Sequence, residues 1–133
     1  MAVEQLLRSS ELPSEGVAAH FDMFLVAEDE RARILGVVGL ELYGTSALLR
    51  SLAVAAEARA QHLGSALARR AITLARDRGA SAIYLLTTTA SGFFGKHGFE
   101  RIERSDVPVR VTTKSVEFTG VCADSAVVMR RRW

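Results

Sequence analysis

Cysteine occurs once in this 133-residue chain, at Cys122, which excludes an internal disulfide and any CxxC-type metal site. A single thiol with nothing nearby to activate it reads as inert packing. It suits a reducing compartment, so the chain is expected to be cytoplasmic. Charge of one sign is scarce too: 17 Lys and Arg against 15 Asp and Glu leave only +2, no electrostatic footprint for nucleic acid. The basic ending "MRRRW" reads as a solvated terminus. No apolar run approaches the roughly 20 residues that cross a bilayer, so no membrane partner is expected. "MAVEQLLRSSELP" lacks the basic-then-apolar order of a signal peptide. Repeats and low-complexity linkers are absent as well. These absences point to one domain over residues 1–133 that holds no metal.

What is present is an ordinary globular balance, 49% apolar and 24% charged, enough for a core of two or three layers. Residues 3–9 read as a short helix stopped near Pro13 and Gly16. Apolar runs at 22–28, within "ARILGVVGLELYG" and at 47–54, with short polar connections, predict an antiparallel meander. In "QHLGSALARRAITLARDRG", Leu63, Leu67, Ala71, Leu74 and Ala75 keep the helical period and Gly79 stops it. "ASAIYLLTTT" reads as a buried strand, "SGFFGKHG" as a short helix ending at Gly98, and "FERIER" as a strand. Residues 107–120 stay open between helix and loop, and "SAVVMRRR" closes as a strand. The order αβββαβαβ(α)β predicts an α+β fold, a sheet with helices packed on it.

The stretch "RAQHLGSALARR", residues 59–70, joins the third strand to the long helix. The first amides of a helix have no partner inside it, and the helix dipole favours an anion there. Gly64 and Ala66 lack bulk, so a phosphate can approach the backbone, and Arg59 and Arg69 add charge nearby. No Walker A lysine follows, and the GxGxxG dinucleotide pattern is absent. Taken alone, the stretch reads equally as a small-residue helix start that packs tightly on the sheet.

"QHLGSA", residues 61–66, resembles the Gln/Arg-x-x-Gly-x-Gly/Ala signature of the GCN5-related N-acetyltransferase (GNAT) superfamily. "LAV" (52–54) stands before it where that family has its central strand. "ASGFFGKHGFE" (90–100) is similar to the family's second element, A-x-x-F/L-Y-x-x-x-G-F. Within the family, "LLTTTA", "FFGKHGF", "DVP" and "SAVVMRR" look like the arsenic-resistance-operon N-acetyltransferases.

The resemblance implies a mixed, mostly antiparallel sheet with helices on both faces, its first strand missing or reduced to "MAV". It also implies acetyl-CoA as co-substrate, with no metal. The pyrophosphate would be held by main-chain amides within Arg59, Ala60, Gln61, His62, Leu63, Gly64, Ser65 and Ala66. The pantetheine arm would pair with the strand edge at Leu52, Ala53 and Val54, and the Val54 amide would stabilise the oxyanion of the tetrahedral intermediate. The helix at 90–97 would flank the cofactor, and the cleft would open where strands 47–54 and 81–88 part.

Three positions depart from the family pattern. Ala60 and His62 replace glycines, and Phe94 replaces the tyrosine that protonates the leaving thiolate. A thiol pKa near 8.5 makes thiolate a fair leaving group without that acid. Ser91, a turn before Phe94, reads either as a water-mediated proton relay or as a helix N-cap. His62 faces either solvent or a phosphate. Phe93, Phe94 and Phe99 read as core or as ligand contacts.

An amine acceptor must lose a proton before it attacks. A four-residue turn "GTSA" would set Glu41 opposite Arg50 on one sheet face. In the functional reading Glu41 draws off that proton and Arg50 grips an anionic group of the substrate. In the plain reading they form an ion pair on an exposed face. Thr87, Thr88 and Thr89 are substrate contacts or ordinary strand residues. The implied reaction is acetyl transfer to a small-molecule primary amine, amino-acid-like and possible in phosphinate- or arsenic-containing form. The alternative is a non-catalytic CoA or acyl-CoA-binding module. A homodimer stays open.

Overall fold

The computed structural model describes residues 23–115, 117, 118 and 126–133. The predicted helix at 3–9 and Cys122 lie outside them. Six strands form one sheet: β1 (Phe24–Glu28), β2 (Ile34–Tyr43), β3 (Ser46–Val54), β4 (Ala82–Thr87), β5 (Glu100–Ile102) and β6 (Val127–Arg132). Their spatial order is β1-β2-β3-β4-β6-β5, and every pairing is antiparallel except β3 with β4. Among the described residues three α-helices accompany them: α1 (Leu63–Asp77), α2 (Ser91–Lys96) and α3 (Val109–Lys114). No helix among the described residues is long and apolar enough to cross a membrane.

The apolar alternation of the strands feeds two cores. On one face Leu67, Ala71, Ile72 and Ala75 of α1 and Phe94 of α2 close over Val38, Leu40, Leu49, Ile83 and Leu85. On the other, Val107 and Val111 cover Leu48, Tyr84 and Val128. Of residues 107–120, open from sequence, Val109–Lys114 form the α3 helix that seals the second face, while 116, 119 and 120 lie outside the described residues. The sheet carries helices on both faces.

Close backbone approach sets where α1 lies. A side chain on Gly36 of β2 would come within 2.8 Å of Leu67 Cδ1, so the glycine lets the start of α1 settle on the sheet. On the opposite face the ring of Phe24 covers Gly39, and a Cβ there would lie 2.4 Å from it.

The turn between β2 and β3 is the two residues Gly44 and Thr45, with Gly44 at φ +66°, not the four-residue "GTSA" link expected. The shorter turn slides the register by two. Glu41 pairs with Leu48, and Arg50 pairs with Gly39. Farther along, Val37 pairs with Ala53, so two residues of β3 oppose Val38 alone. This bulge carries Ser51 at φ +61° and turns the end of β3. β3 pairs with β4 only at Ser46↔Ala82, Ala47↔Ile83 and Leu48↔Tyr84. Beyond them the strands separate into a cleft, while β4 stays paired with β6 through Thr87.

Gly39→Ala forces its methyl into the Phe24 ring and is expected to cost about 1–3 kcal/mol, lowering Tm by roughly 4–12 °C. Gly95→Ala, on an open helical position, is expected to raise Tm by about 2–4 °C. Thermal unfolding of the two variants beside the parent checks both signs.

Candidate active site

The end of β3 opens directly into a short 3-10 helix (Ala56–Gln61) and then α1. His62 links the two in the left-handed conformation, φ 56° and ψ 24°. That is the conformation glycine adopts most easily and a side chain seldom takes. The first helical bond of α1 runs from the Ala66 amide to the His62 carbonyl. The amides of Leu63, Gly64 and Ser65 precede it and point out of the helix end.

A groove of about 520 Å³ lies beside this end, lined by Val54, His62, Gly64, Ser65, Phe93, Lys96 and His97. Phe93, Lys96 and His97 share one face of α2 and its cap by their i, i+3, i+4 spacing. His97 Nε2 lies 3.2 Å from Ser65 Oγ, tying the two walls together, and its ring packs on Phe93 at 4.9 Å between centroids. None of the lining residues is acidic. A Cβ on Gly64 would meet Val54 and Phe93 at 3.7 Å, so its smallness keeps the floor of the groove open.

Val54 stands where the groove meets the cleft. The Ala55 amide donates to the Leu35 carbonyl across the β2–β3 seam at 2.7 Å. Amides alternate in direction along a strand, so the Val54 amide is turned toward the β4 side, where the cleft opens. Leu52 and Leu63 pack against the core, Ala53 is buried in it, and Ala66 is half-buried one turn into α1. The side chains of Arg59, Ala60 and Gln61 lie outside the described residues.

α2 presents Phe93, not Phe94, to this groove. Phe94 is buried among core residues and meets Phe93 and Phe99 edge-on at 5.1 and 5.6 Å. One residue is about 100° of helix rotation, which carries the ring from the groove to the core. Ser91 is exposed as the first residue of α2, whose N-cap position is Ala90 and carries no side-chain cap. The Ala90 amide donates instead to Thr87 Oγ1 at 2.9 Å, so Thr87 fastens the turn out of β4. Thr88 is exposed at the same turn.

Glu41 and Arg50 do share one face, diagonally across the hairpin, but that face is not exposed. Their side chains are 1% and 0% accessible. Arg50 Nη1 donates to Glu41 Oε2 at 2.9 Å and Nε to Ser51 Oγ at 3.0 Å, and Nη2 stands 3.9 Å from Glu117 Oε2. The Tyr43 hydroxyl donates to Glu41 Oε1 at 2.5 Å. Burial alone would raise the Glu41 pKa, yet hydrogen bonds from Tyr43, Ser115 and Arg50 outweigh it and hold the carboxyl below its ordinary 4.5. A carboxylate held that firmly is a poor base near neutral pH, and the Arg50 guanidinium is turned to the carboxylates of Glu41 and Glu117. The sequence offered no sign of Ser115 and Glu117, because only the α3 segment folding back brings them here.

Removing one partner of such a buried pair leaves an uncompensated charge, so Arg50→Ala is expected to cost about 3–5 kcal/mol. Glu41 has a lower pKa folded than unfolded, so its contribution is complete above about pH 4.5 and is lost as pH falls through the folded value. Tyr43 is displaced upward by burial and by the neighbouring carboxylate, so its contribution holds below pH 10.0 and fades in stronger alkali. Denaturant titrations of parent and Glu41→Gln from pH 3 to 8 should show a stability gap that is flat at neutral pH and closes in acid.

Comparison with known proteins places this architecture. Residues 20–101 match the model of the acetyltransferase (GNAT) domain family. An uncharacterized N-acetyltransferase of Chlorobaculum tepidum is 31% identical over 98 residues, which are 73% of this chain and 62% of that protein's length. Among solved structures, the Mycobacterium tuberculosis protein Rv2747, in complex with CoA and a second compound, superposes with TM-score 0.83 at 23% identity, covering 99% of this chain and 92% of that one. The Neisseria gonorrhoeae N-acetylglutamate synthase, complexed with coenzyme A and N-acetyl-glutamate, gives 0.79 at 21% identity, over 98% of this chain and 32% of that one. Tetrahymena GCN5 gives 0.74 at 18% identity, over 98% and 86%. The chain belongs to the GNAT acetyltransferase family.

Proposed function

We propose that the chain transfers the acetyl group of acetyl-CoA to the primary amine of a small molecule, by direct attack while both are bound. The observation that carries this reading is the parting of β3 from β4 beyond Leu48 and Tyr84, with an acid-free groove running from the cleft along the start of α1. The pantetheine arm lies along Leu52–Val54 as an added strand, and the main-chain amides of residues 62–66 take the pyrophosphate. The Val54 amide, on the cleft side, polarises the thioester carbonyl and stabilises its oxyanion, a contact of the kind worth about 2.7–4 kcal/mol in acyl transfer.

Proton handling falls to water at the cleft mouth. Phe94 offers no acid and Glu41 is engaged by three donors. The leaving thiolate needs little help near neutral pH. Ser91, exposed at the head of α2, offers a hydroxyl for a relay, and Thr88, exposed at the turn out of β4, offers a polar contact to the acceptor. Glu41 and Arg50 act as a structural pair beneath the acceptor side rather than as base and anion clamp. Amino acids are the first acceptors to test, with phosphinate- and arsenic-containing analogues beside them, because the segments "LLTTTA", "FFGKHGF" and "SAVVMRR" support that class.

A second reading, cofactor binding without turnover, draws on the phenylalanine at position 94. Acetyl-CoA turnover with the amine panel separates the two: release of CoA with any acceptor supports transfer, and tight binding with no release on the whole panel supports the second reading. Gly64→Glu puts bulk and negative charge on the groove floor and is expected to lower acetyl-CoA affinity by at least about 100-fold with Tm nearly unchanged. Parent-like affinity in that variant would mean the cofactor binds elsewhere.

A further inference from the structure

His97 is fixed more firmly than a groove-lining side chain needs to be. Arg131 Nη1 donates to its carbonyl at 2.8 Å, its amide donates to the Phe94 carbonyl at 2.9 Å, Phe93 backs its ring, and Nε2 meets Ser65 Oγ. The ring is half-buried with one nitrogen on the groove wall formed by α1. Among the described residues, the charged and titratable groups around it are Arg69 of α1, Arg131 of β6, Lys96 beside it on α2 and His62 across the groove. All are basic. No carboxylate is among them to favour a charged imidazole in the empty groove.

We propose that His97 is a proton-linked anchor for the phosphates of CoA: its Nε2 exchanges the Ser65 hydroxyl for a phosphate oxygen and takes up a proton from solvent as it does so. The proposal rests on the acetyl-CoA reading above and assigns this residue a role within it. The balance is simple. One water-derived proton binds the imidazole, the Nε2–H donates to a phosphate oxygen, the Ser65 hydroxyl is released to a second oxygen or to water, and no covalent bond changes. Burial, Arg69 and Arg131 all push the free imidazole below its ordinary 6.5, so the empty groove holds it neutral. An arriving phosphate reverses the local field and favours the charged form.

The consequence is a cofactor affinity that strengthens as pH falls, through a residue outside the 59–66 loop. The phosphate monoester of CoA titrates near pH 6, and a basic groove makes it release protons, the opposite sign. Calorimetry at pH 7.5, where that group is already largely ionised, isolates the imidazole. CoA is titrated into parent, His97→Gln, His62→Asn and Ser65→Ala in two buffers of different ionisation enthalpy. The expected result is net proton uptake by the parent, kept in His62→Asn and Ser65→Ala and lost in His97→Gln. His97→Gln should also bind CoA about tenfold more weakly at pH 6.5, with the deficit shrinking toward pH 8.5. Uptake unchanged in His97→Gln, or lost in His62→Asn instead, overturns the proposal while leaving the acetyl-CoA reading intact. A parent that binds no CoA overturns both.

Discussion

The separation of β3 from β4 governs what the rest of the molecule can do. Three residue pairs join these parallel strands at their start, and no ladder follows. Strand polar groups that part company must be satisfied some other way, which makes such a split costly unless something enters it. The bulge at Ser51 bends the end of β3, and β4 remains committed to β6 along its full length. The split therefore opens as β3 bends away, while β4 keeps its place beside β6. An extended amide-bearing chain such as pantetheine is a chemically suitable occupant, since it can pair as a strand does.

The two faces of the sheet divide the electrostatic work. On the α1 side the groove collects His62, Lys96 and His97, with Arg69 and Arg131 near the last. On the α3 side one charge cluster is buried and nearly self-contained, Arg50 lying between Glu41 and Glu117 with Tyr43 and Ser115 completing the hydrogen bonding. Arranged this way, the first set is free to meet an anionic ligand. The second binds the β2–β3 hairpin to Ser115 and Glu117, just after α3.

Periodicity and the small-residue motif made most of this architecture legible. The three-strand meander, α1 with its Leu67–Ala71–Ala75 stripe, and the element carrying "SGFFGKHG" all lie within a few residues of where the sequence put them. What escaped has physical causes. The β2–β3 turn turned out two residues long, because Gly44 takes a positive φ that a tight link requires, and the register moved with it. A six-residue helix has too few turns for apolar spacing to choose between Phe93 and Phe94, and only the fold shows that Phe93 lines the groove while Phe94 is buried. Lys96 and His97 were recoverable from their i+3 and i+4 offsets from Phe93. Glu117 was not, since its position depends on how α3 folds back over the sheet.

The most direct measurement is an acetyl-CoA titration of the isotopically labelled protein followed by backbone amide chemical shifts. The account predicts that the largest changes fall at Leu52–Val54, at residues 62–66, and at Phe93, Lys96 and His97, with the amides of Glu41 and Arg50 moving less. Changes centred on the β5–β6 edge around Glu100–Ile102, with those amides still, would contradict it.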